Sequence, residues 1–236
     1  RRALKWEGNS NVARLLEVLT PENPHVQPDF KDSVAVFDFT HMTSSGLQGY
    51  YWDFPSYING EAYMNRGLFD SRTRPERPKA DLKQTLSDSL EVRHRHLNDY
   101  ELKGHPIRWW GADNPLSQNR VILVGDAAGV DPLFGEGIAF ALGYGDVAAP
   151  AIVDAFERQD FSFATYKERV HSHSLFVHLN LRTRVARFAY LMKYPLVVRL
   201  GWMAARLFIR FTRWRNPDYV PAETPRLVWR DAVSSS

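Results

Sequence analysis

The chain has 236 residues, 44% apolar and 24% charged, the balance of a globular protein of one or two domains with a sizeable core. Aromatics at 13% argue against disorder across its body. The absence of cysteine excludes a disulfide framework, a thiol nucleophile, an iron–sulfur cluster and a cysteine-based zinc site.

The formal net charge is +3 and the pI near 9.1. The charge is unevenly spread. Between residues 175 and 215 lie Arg182, Arg184, Arg187, Lys193, Arg199, Arg206, Arg210, Arg213 and Arg215, with no acid. Such a block suggests an anionic partner, a membrane surface before nucleic acid, since no nucleic-acid recognition motif is present. The first residues, Arg1 to Trp6, lead into no apolar stretch, so no signal peptide is read there. Without an initiating Met, the chain is expected to be part of a longer polypeptide.

Val12, Leu15, Leu16 and Leu19 stand at helical spacing, which predicts a helix over 10–19 with Ser10 as its cap. Pro21, Pro24 and Pro28 mark a loop. Val34–Phe39 reads as a strand. Residues 47–54 and 62–69 read as two more, joined through Asn59-Gly60, the dipeptide most favoured in tight hairpins. Residues 80–98 read as an amphipathic helix with Leu82, Leu86, Leu90 and Leu97 on one stripe. The continuous apolar run Val121–Val124 predicts a buried parallel strand. A helix rich in Ala and Gly is expected over 137–156. Further helices, broken at Pro195, are expected from 162 to about 214, and an extended tail over 216–236.

The segment Arg120–Leu142 carries the most chemistry. The strand delivers Gly125 and the short acid Asp126 to the kind of edge where open α/β sheets bind ligands. Asp126 can accept from a ligand hydroxyl, Pro132 stiffens the turn, and Gly135 and Gly137 allow close backbone approach to a flat group. The helix that follows points free N–H groups and its positive end at the same place, which suits an anionic ring edge.

This segment closely resembles the second FAD-binding motif of the flavoprotein monooxygenase and geranylgeranyl reductase superfamily. The matching residues are Gly125-Asp126-Ala127-Ala128, then Pro132, then Gly135-Glu136-Gly137-Ile138. The resemblance implies that Asp126 binds the ribityl chain or nearby phosphate, and that the backbone of 135–138 faces the N1/O2 edge of the isoalloxazine. The stretch Tyr50-Tyr51-Trp52-Asp53-Phe54-Pro55 matches the Tyr-x-Trp-x-Phe-Pro motif of geranylgeranyl reductases. By resemblance, Tyr50, Trp52, Phe54 and Pro55 line the substrate cavity over the flavin. The related halogenase motif, and Val130-Asp131-Pro132-Leu133-Phe134, keep a flavin monooxygenase or halogenase as an alternative. Glu7 to Arg14 resembles the family's Asp-Gly motif, with Glu7 standing where Asp is expected; a capped surface helix is the other reading. The family's opening Gly-x-Gly-x-x-Gly is not found. Gly143-Tyr144-Gly145-Asp146-Val147-Ala148 has similar spacing but lies within a helix pattern, where its glycines read as helix packing.

The resemblance covers residues 7–160 and corresponds to the family's later half. It implies an α/β protein with α+β elements, of the p-hydroxybenzoate hydroxylase-like FAD fold without its N-terminal Rossmann half. The expected organisation is the end of the FAD-binding region over 1–32 and a substrate sheet with its helix over 33–110. An FAD-binding strand-turn-helix follows over 111–160, then basic helices over 161–215 and the tail. The implied activity is hydride transfer from reduced FAD to a C=C bond of an apolar, isoprenoid-like substrate, with NAD(P)H or a reduced carrier protein as donor. No catalytic residue is assigned. The expected setting is cytoplasmic, peripheral at a membrane through residues 175–215. The reading from another class is a non-catalytic lipid- or membrane-binding remnant. His171 and His173, and the run Arg93-His94-Arg95-His96, read as solvated helix faces with no metal role.

Overall fold

The computed structural model describes Trp6 and residues 11–211. Five strands form one antiparallel sheet in the order β2-β3-β4-β1-β5. They are β1 (Val12–Pro21), β2 (Val36–Asp38), β3 (Gly49–Ile58), β4 (Glu61–Asp70) and β5 (Lys103–Arg108). Single helical turns, α1 (Pro28–Lys31) and α2 (His41–Ser44), flank β2.

The expected hairpin is present. Ile58 pairs with Glu61 across a two-residue turn, and both turn residues have positive φ, 52° at Asn59 and 85° at Gly60. That backbone twist matches the twist of the strands, and Asn-Gly tolerates it best.

The expected helix over 10–19 is instead β1. This strand lies between β4 and β5, inside the sheet rather than in a separate cofactor region. Both faces of the sheet are covered. Leu16 and Val18 pack on one face with Leu68, Leu86 and Leu90, and Ala13 and Leu15 pack on the other with Tyr50 and Phe69. A strand that is apolar on both faces shows no alternation, so its leucines fall at helical spacing by coincidence. The residues Glu7–Ser10 of the expected motif lie outside the described residues.

The helix expected over 80–98 is shorter. α3 (Leu82–Glu91) is capped by Asp81, whose side chain accepts from Gln84 N at 3.1 Å, and Leu97 reaches the same core from a separate 3₁₀ turn over 97–99. The apolar run at 121–124 is not a parallel strand. A short β6 (Ser117–Gln118) pairs antiparallel with β7 (Val121–Ile122), which is half-buried, and Val124 is exposed. Leu123 still reaches a core, but no parallel neighbour accompanies the run among the described residues.

Helix α4 (Gly125–Ala128) is one turn. α5 (Ile138–Arg158) follows, then α6 (Tyr166–Ser172), α7 (Ser174–Ala189) and α8 (Pro195–Phe211). The C-terminal helices therefore break at His173 as well as before Pro195, which opens α8 instead of interrupting it. Phe140, Tyr144 and Val147 of α5, Tyr166 and Val170 of α6, and Phe176 and Leu179 of α7 form one core with Trp110. α5 is long and apolar enough to cross a membrane, but this face is committed to the core, while Ile138, Leu142, Val153 and Phe156 are exposed on the other. Gly143 is buried in α5 but Gly145 faces open space, so only the first is placed for helix packing. A first compact unit reaches to Val197; the second begins at Val198, and its described residues are those of α8. The tail over 216–236 lies outside the described residues.

Under the hairpin, on the α3 side, sits a buried charge cluster. Arg66 donates to Asp53 at 2.9 Å and to Glu22 at 2.7 Å, Arg93 Nε reaches Asp53 at 2.5 Å, and Arg95 reaches Glu22 at 3.0 Å. Tyr51 donates its hydroxyl to Asp53 at 2.6 Å and stacks its ring under Arg93. Arg93 and Arg95 are thus half-buried anchors, while His94 between them and His96 after them are exposed. His171 also departs from expectation. It is half-buried edge-on to Trp110 at 5.4 Å, and burial lowers its pKa. No group of three metal-ligating side chains occurs among the described residues.

Removing one member of a buried ion pair leaves the others charged and uncompensated. Asp53→Asn is therefore expected to cost ~3–5 kcal/mol of folding stability, measured as a lower urea midpoint with an unchanged slope.

Candidate functional site

The two segments singled out in the sequence meet. Tyr50, Trp52 and Phe54 share one face of β3, as the strand period requires, and the turn over 131–137 lies against that face. The Tyr50 ring lies 5.1 Å from Phe37, 5.4 Å from Phe39, 5.7 Å from Phe69 and 6.3 Å from Phe134, between centroids. Trp52 stacks on Phe54 at 5.9 Å and donates Nε1–H to Asn65 at 2.8 Å. Tyr50 and Trp52 are buried, so they do not line an open cavity. The accessible rim of this aromatic face includes Phe37, Phe54 and Phe134, while Pro55, expected beside them, falls on the opposite face of β3 by the strand period.

The motif Gly125-Asp126-Ala127-Ala128 forms α4 itself, and Asp126 and Ala127 are exposed. The chain then leaves through Gly129 into Val130, which bridges Trp109, and enters the turn at Asp131. Asp126 lies beside the start of α5: its Oδ1 is 3.2 Å from where a Cβ on Gly137 would stand. Gly135 is needed twice over. Its φ is +71°, and a Cβ there would sit 2.9 Å from the Phe69 ring.

The polar groups of the turn divide by direction. Asp131, fully buried, accepts from Leu133 N at 2.8 Å and Phe134 N at 3.1 Å, and pairs with Arg182 of α7 at 2.8 Å. Pro132, Leu133 and Phe134 offer their carbonyls inward, to Ser71, Tyr190 and Tyr50 respectively. Asp131 N–H binds the Glu136 carbonyl at 3.2 Å. Glu136 Oε1 caps α5 by accepting from Ala139 N at 3.0 Å. Among the described residues, the N–H groups of Gly135, Glu136, Gly137 and Ile138 have no acceptor within the chain. These amides stand at the positive end of a 21-residue helix, close to exposed Asp126.

Burial, reinforced by the charges of Asp131 and Glu136, pushes the Tyr50 hydroxyl well above its ordinary range, and burial does the same at Tyr190. Both phenols therefore remain protonated donors at neutral pH.

Asp131, Arg182, Ser71 and Tyr190 are not legible as site residues in the sequence. Asp131 stands inside the Val130–Phe134 stretch, but Arg182, which balances its charge, and the Ser71 and Tyr190 hydroxyls on its neighbours' carbonyls come from 50 or more residues away. A separate cleft of about 660 Å³ contains none of the expected site residues. It lies between residues 109–115 and the Asn180–Arg187 side of α7.

No family model matches the chain. It is 31% identical over 144 residues to a digeranylgeranylglycerophospholipid reductase of Thermoplasma acidophilum, covering 59% of this chain and 33% of that protein. It is 26% identical over 164 residues to an uncharacterized protein of Methanosarcina barkeri, covering 69% of this chain and 40% of the relative. The crystal structure of a geranylgeranyl bacteriochlorophyll reductase-like protein from Thermoplasma acidophilum superposes with a TM-score of 0.58 at 25% identity. That match covers 81% of this chain and 47% of the other. The chain thus spans less than half the length of these relatives. Sheet, turn and helices make a mixed α/β chain similar in fold to that structure. The resemblance to this superfamily, its later half, is borne out: the chain is similar to geranylgeranyl reductase-like proteins over part of their length.

Gly135→Ala must place a side chain on left-handed backbone, at about 1–2 kcal/mol, and also press on Phe69. Its thermal midpoint is expected several degrees below that of the parent, and a mild truncation at Phe69 should recover part of the loss.

Proposed function

We propose that this chain is the flavin- and substrate-facing part of an FAD-dependent oxidoreductase that transfers hydride to a C=C bond of an apolar, isoprenoid-like substrate. The finer fold assignment, p-hydroxybenzoate hydroxylase-like, belongs to the same proposal. The observation that carries it is the set of unpaired amides at 135–138, opening beside Asp126 and against an aromatic sheet face. The names of the reductase relatives support it.

The residues fit the cofactor. An anionic ring edge suits the amide set and the positive end of α5, where such charge is stabilised without reorganisation. Asp126 is exposed, short and within reach of the same place, able to accept from ribityl hydroxyls. When bound, FAD supplies the redox chemistry; the protein supplies orientation, dryness and electrostatics. The rim of Phe37, Phe54 and Phe134 offers an apolar substrate a dry surface next to the turn. Asp126→Ala in the full-length protein is expected to weaken FAD retention at least tenfold, followed by visible absorbance after desalting. A parent protein that retains no flavin sinks the proposal. Product mass then separates the chemistries: two added hydrogens for reduction, added oxygen or halogen for the alternatives.

A membrane-surface role is favoured by a different observation. Arg199, Arg206 and Arg210 fall on one narrow stripe of α8, and residues 175–211 contain no acid. The remainder of α8 is nearly all apolar. We propose that this helix lies on an anionic lipid surface, peripheral to the membrane. Each Arg near such a surface contributes about 1 kcal/mol. The variant carrying Arg199→Gln, Arg206→Gln and Arg210→Gln is therefore expected to float with phosphatidylglycerol vesicles far less than the parent. Neither protein should float with neutral phosphatidylcholine. Equal flotation of parent and variant would refute it.

A further inference from the structure

The peptide that joins Phe134 to Gly135 differs from the two before it. A trans peptide is planar, with its C=O and N–H pointing in opposite directions. In the Pro132–Leu133 and Leu133–Phe134 peptides both ends are held inside the protein. Ser71 and Tyr190 take the carbonyls, and Asp131 takes the N–H groups. In the Phe134–Gly135 peptide only the carbonyl is held, by Tyr50 OH at 2.6 Å; the N–H, which a trans peptide directs away from that carbonyl, has no acceptor among the described residues. Gly135 is the residue at which this peptide could most easily turn over, because glycine accepts φ of either sign. A reversal would replace an outward N–H by an outward C=O, turning the first donor of the amide set into an acceptor.

We propose that Tyr50 is a positioning residue: its hydroxyl fixes the orientation of the Phe134–Gly135 peptide and so keeps the Gly135 N–H facing the anionic edge of the bound cofactor. The identity of that cofactor rests on the oxidoreductase reading; the orientation of the peptide does not. The assignment gives the first aromatic of the Tyr-x-Trp-x-Phe-Pro stretch a task beyond apolar contact. The same ring packs among Phe37, Phe39, Phe69 and Phe134, so pressure from an apolar ligand on this face reaches the peptide through one side chain.

The test compares Tyr50→Phe with Tyr190→Phe in the full-length protein. Both keep a buried ring and lose one hydroxyl bonded to a turn carbonyl. A merely structural role predicts similar effects from the two. The proposal predicts that only Tyr50→Phe weakens reduced flavin relative to oxidised flavin. A tenfold weakening corresponds to a midpoint potential lower by about 30 mV for a two-electron couple. In the crystal structure of flavin-free Tyr50→Phe, the Phe134–Gly135 peptide is expected reversed; in Tyr190→Phe it is expected as in the parent. An unchanged peptide in Tyr50→Phe, or equal potential shifts in both variants, overturns the proposal. If the parent binds no flavin, the oxidoreductase reading fails, and the peptide orientation in the crystal still decides for or against the role of Tyr50.

Discussion

Where both faces of the sheet are covered, no wet side is left on which to place polar groups, and much of this structure follows from that constraint. Leu16, Val18 and Leu68 lean toward α3 while Ala13, Leu15 and Phe69 lean toward the turn after Asp131. Any polar side chain on the buried stretches of β3 and β4 must then find its partners inside the protein. On the α3 side, Asp53 and Arg66 do so with Arg93, Glu22 and Tyr51. On the other side, the Tyr50 hydroxyl does so with a backbone carbonyl of the turn.

The same rule shapes the turn. It is pressed against an aromatic face, so its inward carbonyls need donors, and Ser71, Tyr50 and Tyr190 provide them from the sheet side and from beyond α7. Its two inward N–H groups need an acceptor, and Asp131 serves both, with Arg182 balancing the charge. Among the described residues, the N–H groups of the turn left without an acceptor are the four amides at the start of α5. A donor set of this kind is costly to bury but useful to leave open, because it meets negative charge without having to reorganise. The packing of the core and the chemistry of the opening are therefore one arrangement seen from two sides.

Local signals are readable where chemistry is local. Asn59-Gly60 announces its turn because only residues tolerant of positive φ make that turn cheaply. The faces of Tyr50-Trp52-Phe54 and Tyr51-Asp53 follow from the strand period alone. The order acid, Pro, Gly-x-Gly, helix marks the candidate turn within a single short stretch of chain. Signals fail where burial removes contrast. β1 looks helical because both its faces are apolar, and Val121–Val124 looks like a parallel strand because an apolar run does not say what it pairs with. Arg93 and Arg95 look solvated because their acids, Asp53 and Glu22, are distant in sequence.

By itself, then, the sequence determined the hairpin, the helical character of much of residues 138–211 and the place of the glycine-rich turn before α5, all properties of residues within a few positions of one another. Tertiary structure alone decided that residues 12–21 are a strand, that Asp131 is paired with Arg182, and that three distant hydroxyls hold three consecutive carbonyls. The physical reason is that buried polar groups must be satisfied by whichever partners the fold brings near, and that choice is made across the core, not along the chain.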